Sequence, residues 1–270
     1  MAKLEDHKST SVTKLLLIGD SGAGKTGSLA SLAKAGYNLR IIDLDSGLDV
    51  LSNILRHDKS PEAKGALDRV EFETITDSMR AVNNKLIPNK ATVWQRTINL
   101  LNDWKTDTAN FGPLISWGEK DILVIDSLTM LSNAALNFTL SLNARLGQQP
   151  HQSDWYTGQQ MIESLLQMLY DSNVKCNVIL ISHIAYIGEE NGPVHGYPSS
   201  LGKSLPPKIG RYFNNTLMVK TTGQGTNQKR KILTRTSGVV ELKNSAPMNV
   251  KAEYDVENGL AEYFRDVRGS

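Results

Sequence analysis

The chain has 270 residues, which suits one large α/β domain or two small ones and can bury a core without disulfides. Its 40% hydrophobic and 21% charged content is typical of a globular protein, and the lone cysteine, Cys176, excludes an internal disulfide. The polar N-terminus lacks a signal peptide's apolar segment, and no apolar run approaches the roughly 18 residues of a membrane helix. We therefore expect a cytoplasmic protein with no membrane partner.

The charge is unevenly distributed, although the net value is only +2. Residues 1–199 carry 18 Lys/Arg against 22 Asp/Glu, a balance of −4, whereas residues 200–270 carry 12 against 6, a balance of +6. A basic terminal quarter indicates either a polyanionic partner or a solvated basic face.

Residues 1–12 are predicted to form a flexible arm, followed by a single domain over 13–270. Short apolar or alternating runs predict seven strands after the arm. In chain order they are 15–18, 39–42, 70–75, 122–125, 178–181, 216–221 and 230–236. The last two are predicted to be joined by a turn at 223–225.

Helices are predicted between these strands from apolar spacing near 3.6 residues. They run from 26 to 34, where Ala35-Gly36 ends the pattern, from 92 to 105, and from 127 to 145, with a further helix around 162–169. The segment 188–207 is rich in glycine and proline and has no periodicity, so it predicts a long functional or disordered loop.

Strands that alternate with amphipathic helices predict an α/β fold with a mostly parallel central sheet flanked by helices, and antiparallel strands toward the C-terminus. Ligands of such sheets bind at the carboxyl ends of the strands. The predicted strands end in polar residues, namely Asp43, Asp45, Asp126, Ser182 and His183. We expect these side chains to converge on one crevice.

The first strand is followed by a segment, 19–26, that matches G-x-x-x-x-G-K-[ST] at every fixed position. Glycines let successive N–H groups point at phosphates, and the next helix adds its positive N-terminal end. We expect Lys25 to pair with the β- and γ-phosphates and the Thr26 hydroxyl to bind Mg²⁺. The predicted nucleotide-binding residues are Gly19, Asp20, Ser21, Gly22, Ala23, Gly24, Lys25, Thr26 and Gly27. ATP and Mg²⁺ are therefore the expected cofactors; the alternative is a chance glycine-rich turn.

Three further catalytic roles have candidate residues. Asp126 could orient a water of the Mg²⁺ ion, or could simply end its strand. Asp45 is the candidate for positioning or deprotonating the attacking water, with Asp43 in competition for that role and turn-forming aspartates as the alternative. His183 could hydrogen-bond the γ-phosphate and move the loop that follows, or could be an ordinary satisfied polar group.

The segments GDSGAGKT, RIIDLDSGLDVL, ILVIDSLTML and VILISHI together resemble the RecA-type P-loop ATPase core. The resemblance runs from about Lys14 to Leu242, and the chain is in particular similar to short phage RecA-like proteins of single-strand annealing and recombination. It implies a catalytic role for Asp45, where the family has Glu, and a switch role for Ser182-His183, where RecA has Asn-Gln. Asp49 falls near the family's adenine-side Asp.

The resemblance also implies single-stranded DNA as a partner. The segment 185–207 matches the family's mobile DNA-binding loop, and Lys203, Lys208 and Arg211 are candidate phosphate contacts, with solvated surface as the alternative. Gln148–Tyr156 matches a second DNA loop. There Trp155 and Tyr156 could stack on bases, but core packing is the favoured interpretation.

RecA-type assemblies place ATP between subunits, so the resemblance implies a homo-oligomer in which a neighbour supplies a cation. Arg235 and Lys243 are the candidates. Because Asp45 is one methylene shorter than Glu, we expect slow hydrolysis. The favoured function is an ATPase that binds single-stranded DNA and promotes annealing or recombination, in the host cytoplasm if phage-encoded. A helicase-type motor or loader, and a nucleotide-gated scaffold with weak hydrolysis, are the alternatives.

Overall fold

The computed structural model describes residues 12–107, 109–188, 192–223 and 225–269. Its main element is an eight-stranded sheet in the order β14-β13-β12-β1-β9-β8-β2-β3. These strands are β1 (Lys14–Gly19), β2 (Asn38–Asp43), β3 (Val70–Thr74), β8 (Asp121–Asp126), β9 (Asn177–Ser182), β12 (Asn215–Thr222), β13 (Lys229–Leu233) and β14 (Glu253–Asp255).

Six neighbouring strands of the sheet, from β12 to β3, are parallel, and β13 and β14 continue it through antiparallel pairings. The predicted α/β class, with a mostly parallel sheet and antiparallel strands toward the C-terminus, is confirmed. The seven predicted strands all exist within one or two residues, except that β13 ends at Leu233 instead of reaching residue 236.

Helices cover both faces of this sheet, because side chains alternate between the faces along each strand. Leu15 and Leu17 of β1 pack into one core with the helices α2, α3 and α8, while Leu16 and Ile18 pack into the other with α4, α5 and α6. The helices are α1 (Lys25–Ser28), α2 (Ala30–Lys34), α3 (Asp49–His57), α4 (Val93–Asn102), α5 (Leu128–Leu142), α6 (Gln152–Tyr170), α7 (Pro206–Ile209) and α8 (Gly259–Arg268).

The predicted helix over 92–105 ends earlier, at Asn102, because Trp104 has a better partner outside the helix. Asp103 is extended, and Trp104 enters the short strand β6 (Trp104–Lys105), which pairs with β7 (Asn110–Gly112). The Trp104 ring then lies 5.6 Å from that of Trp117, fully inside the core. Burial of a large indole overrides the local helical pattern.

The prediction of an aperiodic loop over 188–207 is wrong in its first half, where a β-hairpin forms from β10 (Ile184–Gly188) and β11 (Val194–Pro198). Residues 189–191 lie outside the described part of the chain. Gly196 hides the strand pattern, yet the fold requires glycine there, since a Cβ would lie 2.7 Å from Val240. Close approach of a neighbouring side chain explains this glycine.

A second hairpin, β4 (Met79–Val82) with β5 (Lys85–Pro88), was not predicted. Its turn is Asn83-Asn84, with φ of 47° and 61°, a conformation that asparagine tolerates and that suits a two-residue hairpin loop. Cys176 is buried. Residues 1–11 of the predicted arm, and Gln224 of the predicted turn, lie outside the described residues. Among the helices of the described residues, none has the length and apolar content needed to cross a membrane.

Candidate nucleotide-binding site

Strand register brings the predicted polar residues to one edge of the sheet. Asp43 of β2 lies opposite Asp126 of β8, Asp126 lies opposite Ile181 of β9, and Ile18 of β1 lies opposite Ser182. The tips of four adjacent parallel strands are therefore level. The loop that follows β1 begins at this edge, which is where ligands of parallel sheets bind.

The loop from Gly19 to Gly24 has the backbone that its glycines predict. Gly22 and Gly24 have φ of 74° and 105°, in the left-handed region that favours glycine. A Cβ at Gly19 would lie 2.6 Å from the carbonyl oxygen of Val219, so the loop leaves the sheet where a side chain cannot fit. Asp20 and Ser21 are exposed, whereas Ala23 is buried.

Lys25 lies at the start of α1 with only 6% of its surface exposed. Its ammonium donates to the carbonyl oxygens of Gly19 and Asp20, at 2.8 and 2.9 Å. Burial lowers the pKa of Lys25, and the carboxylates of Asp126, Asp20 and Asp45 oppose that shift. The ammonium is thus held inside the loop and beside three carboxylates.

Thr26 and Asp126 are in direct contact, since the Thr26 hydroxyl donates to Oδ2 of Asp126 at 2.6 Å. Asp126 is 4% exposed, and burial raises its pKa to about 6, although the Thr26 hydrogen bond acts in the opposite direction. The neighbouring carboxylates of Asp45 and Asp43 raise the pKa further. A hydroxyl and a carboxylate held side by side are oxygen ligands of the kind that Mg²⁺ prefers. The residue set therefore fits a magnesium ion, which would favour the ionised carboxylate.

The two competing aspartates of the second strand have different surroundings. Asp43 is buried, and its carboxylate accepts from the backbone N–H groups of Asp45 and Gly47 and from the Thr74 hydroxyl. Asp45 is exposed at the mouth of the crevice. Because the Asp43 carboxylate already accepts hydrogen bonds within the turn, Asp45 is the better placed of the two to contact a water molecule.

Ser127 is a site residue that the sequence analysis did not identify. It is fully buried, and its hydroxyl donates to Oδ1 of Asp45 at 2.9 Å. The Ser127 Oγ also accepts the backbone N–H of Met130 and so caps the N-terminus of α5. A serine between a strand and a helix signals an N-cap, but the contact with Asp45 depends on the neighbouring strand.

His183 follows β9 at the same edge, half-buried against α5. Its backbone N–H and Nδ1 both lie 3.3 Å from the Thr129 hydroxyl. Burial lowers the pKa of His183, as does the Lys25 charge, so the imidazole is neutral near pH 7. Ser182 points its hydroxyl the other way, to the carbonyl oxygens of His183 and Ser199.

Asp49 lies exposed in the first turn of α3. The next residue, Val50, and Ile54 approach Gly27 of α1, since a Cβ at Gly27 would lie 3.6 and 3.1 Å from them. This packing places the start of α3 beside the helix that carries Thr26. Asp49 is thus near the predicted nucleotide site, on its outer side.

The candidate DNA contacts lie on a separate surface. Lys203, Lys208 and Arg211 are all exposed, between β11 and β12. Trp155 and Tyr156, at the start of α6, are 37% and 65% exposed, so the favoured expectation of core packing is wrong for them. The first turn of an amphipathic helix extends past the core, which the periodicity does not reveal.

The candidate trans cations are also exposed and lie away from this chain's own phosphate loop. Arg235 lies just after the C-terminal end of β13, and this end of the strand points away from the phosphate loop. Lys243 pairs through its backbone with Thr216 and lines a cavity of about 300 Å³ beside α7. Lys243 is exposed as a whole residue, but partial desolvation of its ammonium lowers its pKa.

These features together define a P-loop nucleoside triphosphatase. They are the order of the sheet, the glycine loop, the buried Lys25 at the start of a helix, and the strand-end Asp126 that is hydrogen-bonded to Thr26. Comparison with protein families agrees, since a family model described as an AAA domain matches residues 11–245. The chain belongs to this family. It is a P-loop ATPase of AAA type, which implies ATP and Mg²⁺ as cofactors.

Solved structures resemble the chain at low sequence identity. The RadB recombinase has a TM-score of 0.48 at 16% identity, over 95% of this chain and 92% of that one. A KaiC-like protein from Pyrococcus horikoshii has a TM-score of 0.44 at 14% identity, and the match covers 94% of this chain and 91% of that one. The flagellar accessory protein FlaH from Methanocaldococcus jannaschii has a TM-score of 0.44 at 9% identity, and the match covers 91% of this chain and 84% of that one. No curated protein sequence matches the chain.

Proposed function

We propose that this protein hydrolyses Mg-ATP and uses the nucleotide state to control binding of single-stranded DNA during annealing or recombination. The observation that carries the proposal is a continuous hydrogen-bonded path from the nucleotide edge to a surface with exposed cations and aromatic rings. That path joins Thr129, His183, Ser182 and Ser199.

The ATP chemistry follows from the residues at the strand tips. Lys25 would exchange two loop carbonyl oxygens for phosphate oxygens, which compensate its buried charge more fully. Thr26 and Asp126 would hold Mg²⁺, the ion that neutralises phosphate charge in such sites. Asp45, exposed and oriented by Ser127, would position the attacking water or accept its proton.

Coupling to DNA starts at His183. A neutral imidazole can donate one hydrogen bond to a γ-phosphate oxygen. Its other contacts lead to the hairpin formed by β10 and β11, because the carbonyl oxygen of His183 accepts the N–H of Ser199 at 2.7 Å, just after β11. The Ser199 carbonyl oxygen in turn accepts from Ser182 and Thr129. A shift of His183 would therefore move both ends of the hairpin.

The surface at the end of this path suits a single strand of DNA. Gln159 of α6 donates to the carbonyl oxygen of Leu201 and accepts from the Ser204 hydroxyl, which fixes the segment carrying Lys203 to the helix carrying Trp155 and Tyr156. Exposed aromatic rings beside cations bind single strands by base stacking and phosphate contact.

The decisive experiment is ATP turnover with and without single-stranded DNA, at several salt concentrations, for the wild type and Lys25→Ala. We expect DNA to stimulate wild-type turnover, with less stimulation at high salt, and Lys25→Ala to have no turnover under either condition. A wild type whose turnover and electrophoretic mobility are both unaffected by DNA would contradict the proposal. Unwinding of a forked duplex in the same assay would favour a helicase-type motor instead.

A nucleotide-gated scaffold is the second candidate, favoured by the short reach of Asp45, one of whose oxygens is already engaged by Ser127. Asp45→Ala separates the two functions. If Asp45 activates water, the substitution lowers turnover by about 100-fold without weakening ATP binding. Turnover that is already very slow and does not change on substitution would support the scaffold.

We also propose that the active form is a homo-oligomer with ATP between subunits, in which Arg235 or Lys243 reaches the neighbouring site. Within the described residues, neither side chain has a carboxylate partner. Sizing with and without a non-hydrolysable ATP analogue tests this proposal. If the chain stays monomeric with the analogue bound, a cation cannot act in trans.

A further inference from the structure

We propose that Arg230 forms the nucleoside side of the ATP site, with its guanidinium stacked on the base of a bound purine nucleoside triphosphate. The inference deepens the proposed ATPase function and rests on it. It concerns a residue for which neither the motif nor the strand-tip pattern gives a role.

Antiparallel pairing brings Arg230 to the phosphate loop. Arg230 lies opposite Thr221 near the start of β13, and this end of the strand is at the same edge of the sheet as the end of β1. The chain returns to this edge at the end of β14, where the N–H of Val256 bonds to the carbonyl oxygen of Arg230.

The Arg230 side chain packs directly on the loop. A Cβ at Gly24 would lie 3.2 Å from Cδ of Arg230, 3.6 Å from Cγ1 of Val256 and 3.9 Å from Nε of Arg230. Gly24 has φ of 105° and immediately precedes Lys25. The arginine stem thus covers the flank of the turn that presents N–H groups to phosphates, and the guanidinium lies at its rim.

The guanidinium is exposed and has no ion-pair or hydrogen-bond partner among residues 12–107, 109–188, 192–223 and 225–269. The adjacent cation shows the contrast, since Lys231 bonds to both Glu253 and Asp255, at 3.2 and 3.0 Å. The planar Arg230 guanidinium is therefore available to a ligand beside the loop, whereas Lys231 forms ion pairs within the sheet.

The direction of the nucleotide follows from the two sides of the loop. Asp126 is the last residue of β8, and Asp45 and His183 lie just after β2 and β9, all on one side of β1. These are the residues proposed to act on magnesium and the γ-phosphate. The triphosphate therefore runs away from them, and its nucleoside faces β12, β13 and β14. Arginine stacks on aromatic planes, and every purine base offers one.

The test compares binding of Mg-ATP and of magnesium tripolyphosphate, which lacks a nucleoside, to the wild type, Arg230→Ala and Lys229→Ala. Lys229 is a matched control, because it is an exposed cation next to Arg230 whose side chain projects from the opposite face of the strand. We expect Arg230→Ala to weaken ATP binding about 5-fold and to change tripolyphosphate binding less than about 2-fold. Lys229→Ala should change neither.

Two results would overturn the inference while leaving ATP binding intact. Equal weakening of both ligands by Arg230→Ala would show that the charge acts on the phosphate chain, and no weakening of either would show that the side chain has no role. Absence of Mg-ATP binding by the folded wild type would refute the proposed function, and this inference with it. Unfolding midpoints of the three proteins should agree, because Arg230 is exposed and makes no ion pair within the described residues.

Discussion

Charged groups have opposite surroundings in two regions of the molecule. At the tips of β1, β2, β8 and β9, the side chains of Lys25, Asp43 and Asp126 are buried and hydrogen-bonded to neighbouring site residues or to the loop, as in the Thr26–Asp126 contact. Along the segment from Lys203 to Arg235, most cations are exposed. A buried charged group is held by specific partners, so no nearby residue can replace it, whereas each exposed charge contributes only a small free energy. Substitutions in the first region should therefore have large effects on chemistry, and those in the second should have small, salt-dependent effects on binding.

The largest expected effect comes from Asp126→Asn, which removes the charge that holds magnesium. We expect ATP turnover to fall about 100-fold or more, because metal-assisted stabilisation of the phosphates is worth several kcal/mol. The wild type gives an independent check through pH. Since the pKa of Asp126 is raised to about 6, turnover at limiting Mg²⁺ should fall as pH drops below 6.

Excess Mg²⁺ should restore turnover at low pH, because the cation competes with the proton for the carboxylate. Turnover that falls equally at low and high Mg²⁺ would contradict this assignment of the titration.

The same substitution should stabilise the protein without ligands. A carboxyl whose pKa rises from 3.8 to about 6 on folding binds protons more tightly when folded, so its contribution to stability decreases as pH rises from about 4 to 6. At pH 7, with a chelator present, Asp126→Asn should raise the free energy of unfolding by about 2 kcal/mol. The gain should vanish below about pH 4, where both proteins carry a neutral group at this position. Urea denaturation at pH 7 and pH 4 measures the difference, and an equal effect at both values would refute the electrostatic explanation.

A smaller effect is expected from Ser127→Ala, which leaves Asp45 in place but removes its buried donor. We expect kcat to fall about 10-fold while KM for ATP changes less than about 2-fold, because positioning of the general base affects the transition state more than the ground state.

Ser132→Ala is the control, since Ser132 is another buried serine on α5, bonded to Ser200 instead of to a site residue. If both variants lower kcat equally, the loss reflects the stability of α5 and not the position of Asp45.

The smallest effects should come from the exposed cations. Lys203→Ala and Lys208→Ala are each expected to weaken single-stranded DNA binding about 3-fold and to reduce the salt dependence of log K by about 0.7 per lost phosphate contact. Lys251→Ala removes an equal charge just before β14, where the side chain pairs with Glu262 of α8, and should leave DNA binding unchanged. Fluorescence anisotropy across a salt series distinguishes these outcomes.

The parts of the fold that local sequence predicts are those with a short-range cause. Apolar runs of four residues identified the buried strands, and the motif at 19–26 identified the loop, because glycine, lysine and threonine are needed there whatever surrounds them. The hairpin at 184–198 was missed because Gly196 reflects contact with a distant residue, Val240. Trp104 left its predicted helix for a similar reason, since its partner, Trp117, belongs to another segment.

The sequence by itself determined the class of this protein: a strand, a phosphate loop and a helix, followed by strands that end in carboxylates. The tertiary structure decided which of those carboxylates is free, because strand register buries Asp43 within its turn and leaves Asp45 exposed beside Ser127. It also decided that Arg230, which is far from Gly24 along the chain, lies against the same loop. Residue chemistry is encoded locally, but contacts between distant segments arise only when the sheet brings them together.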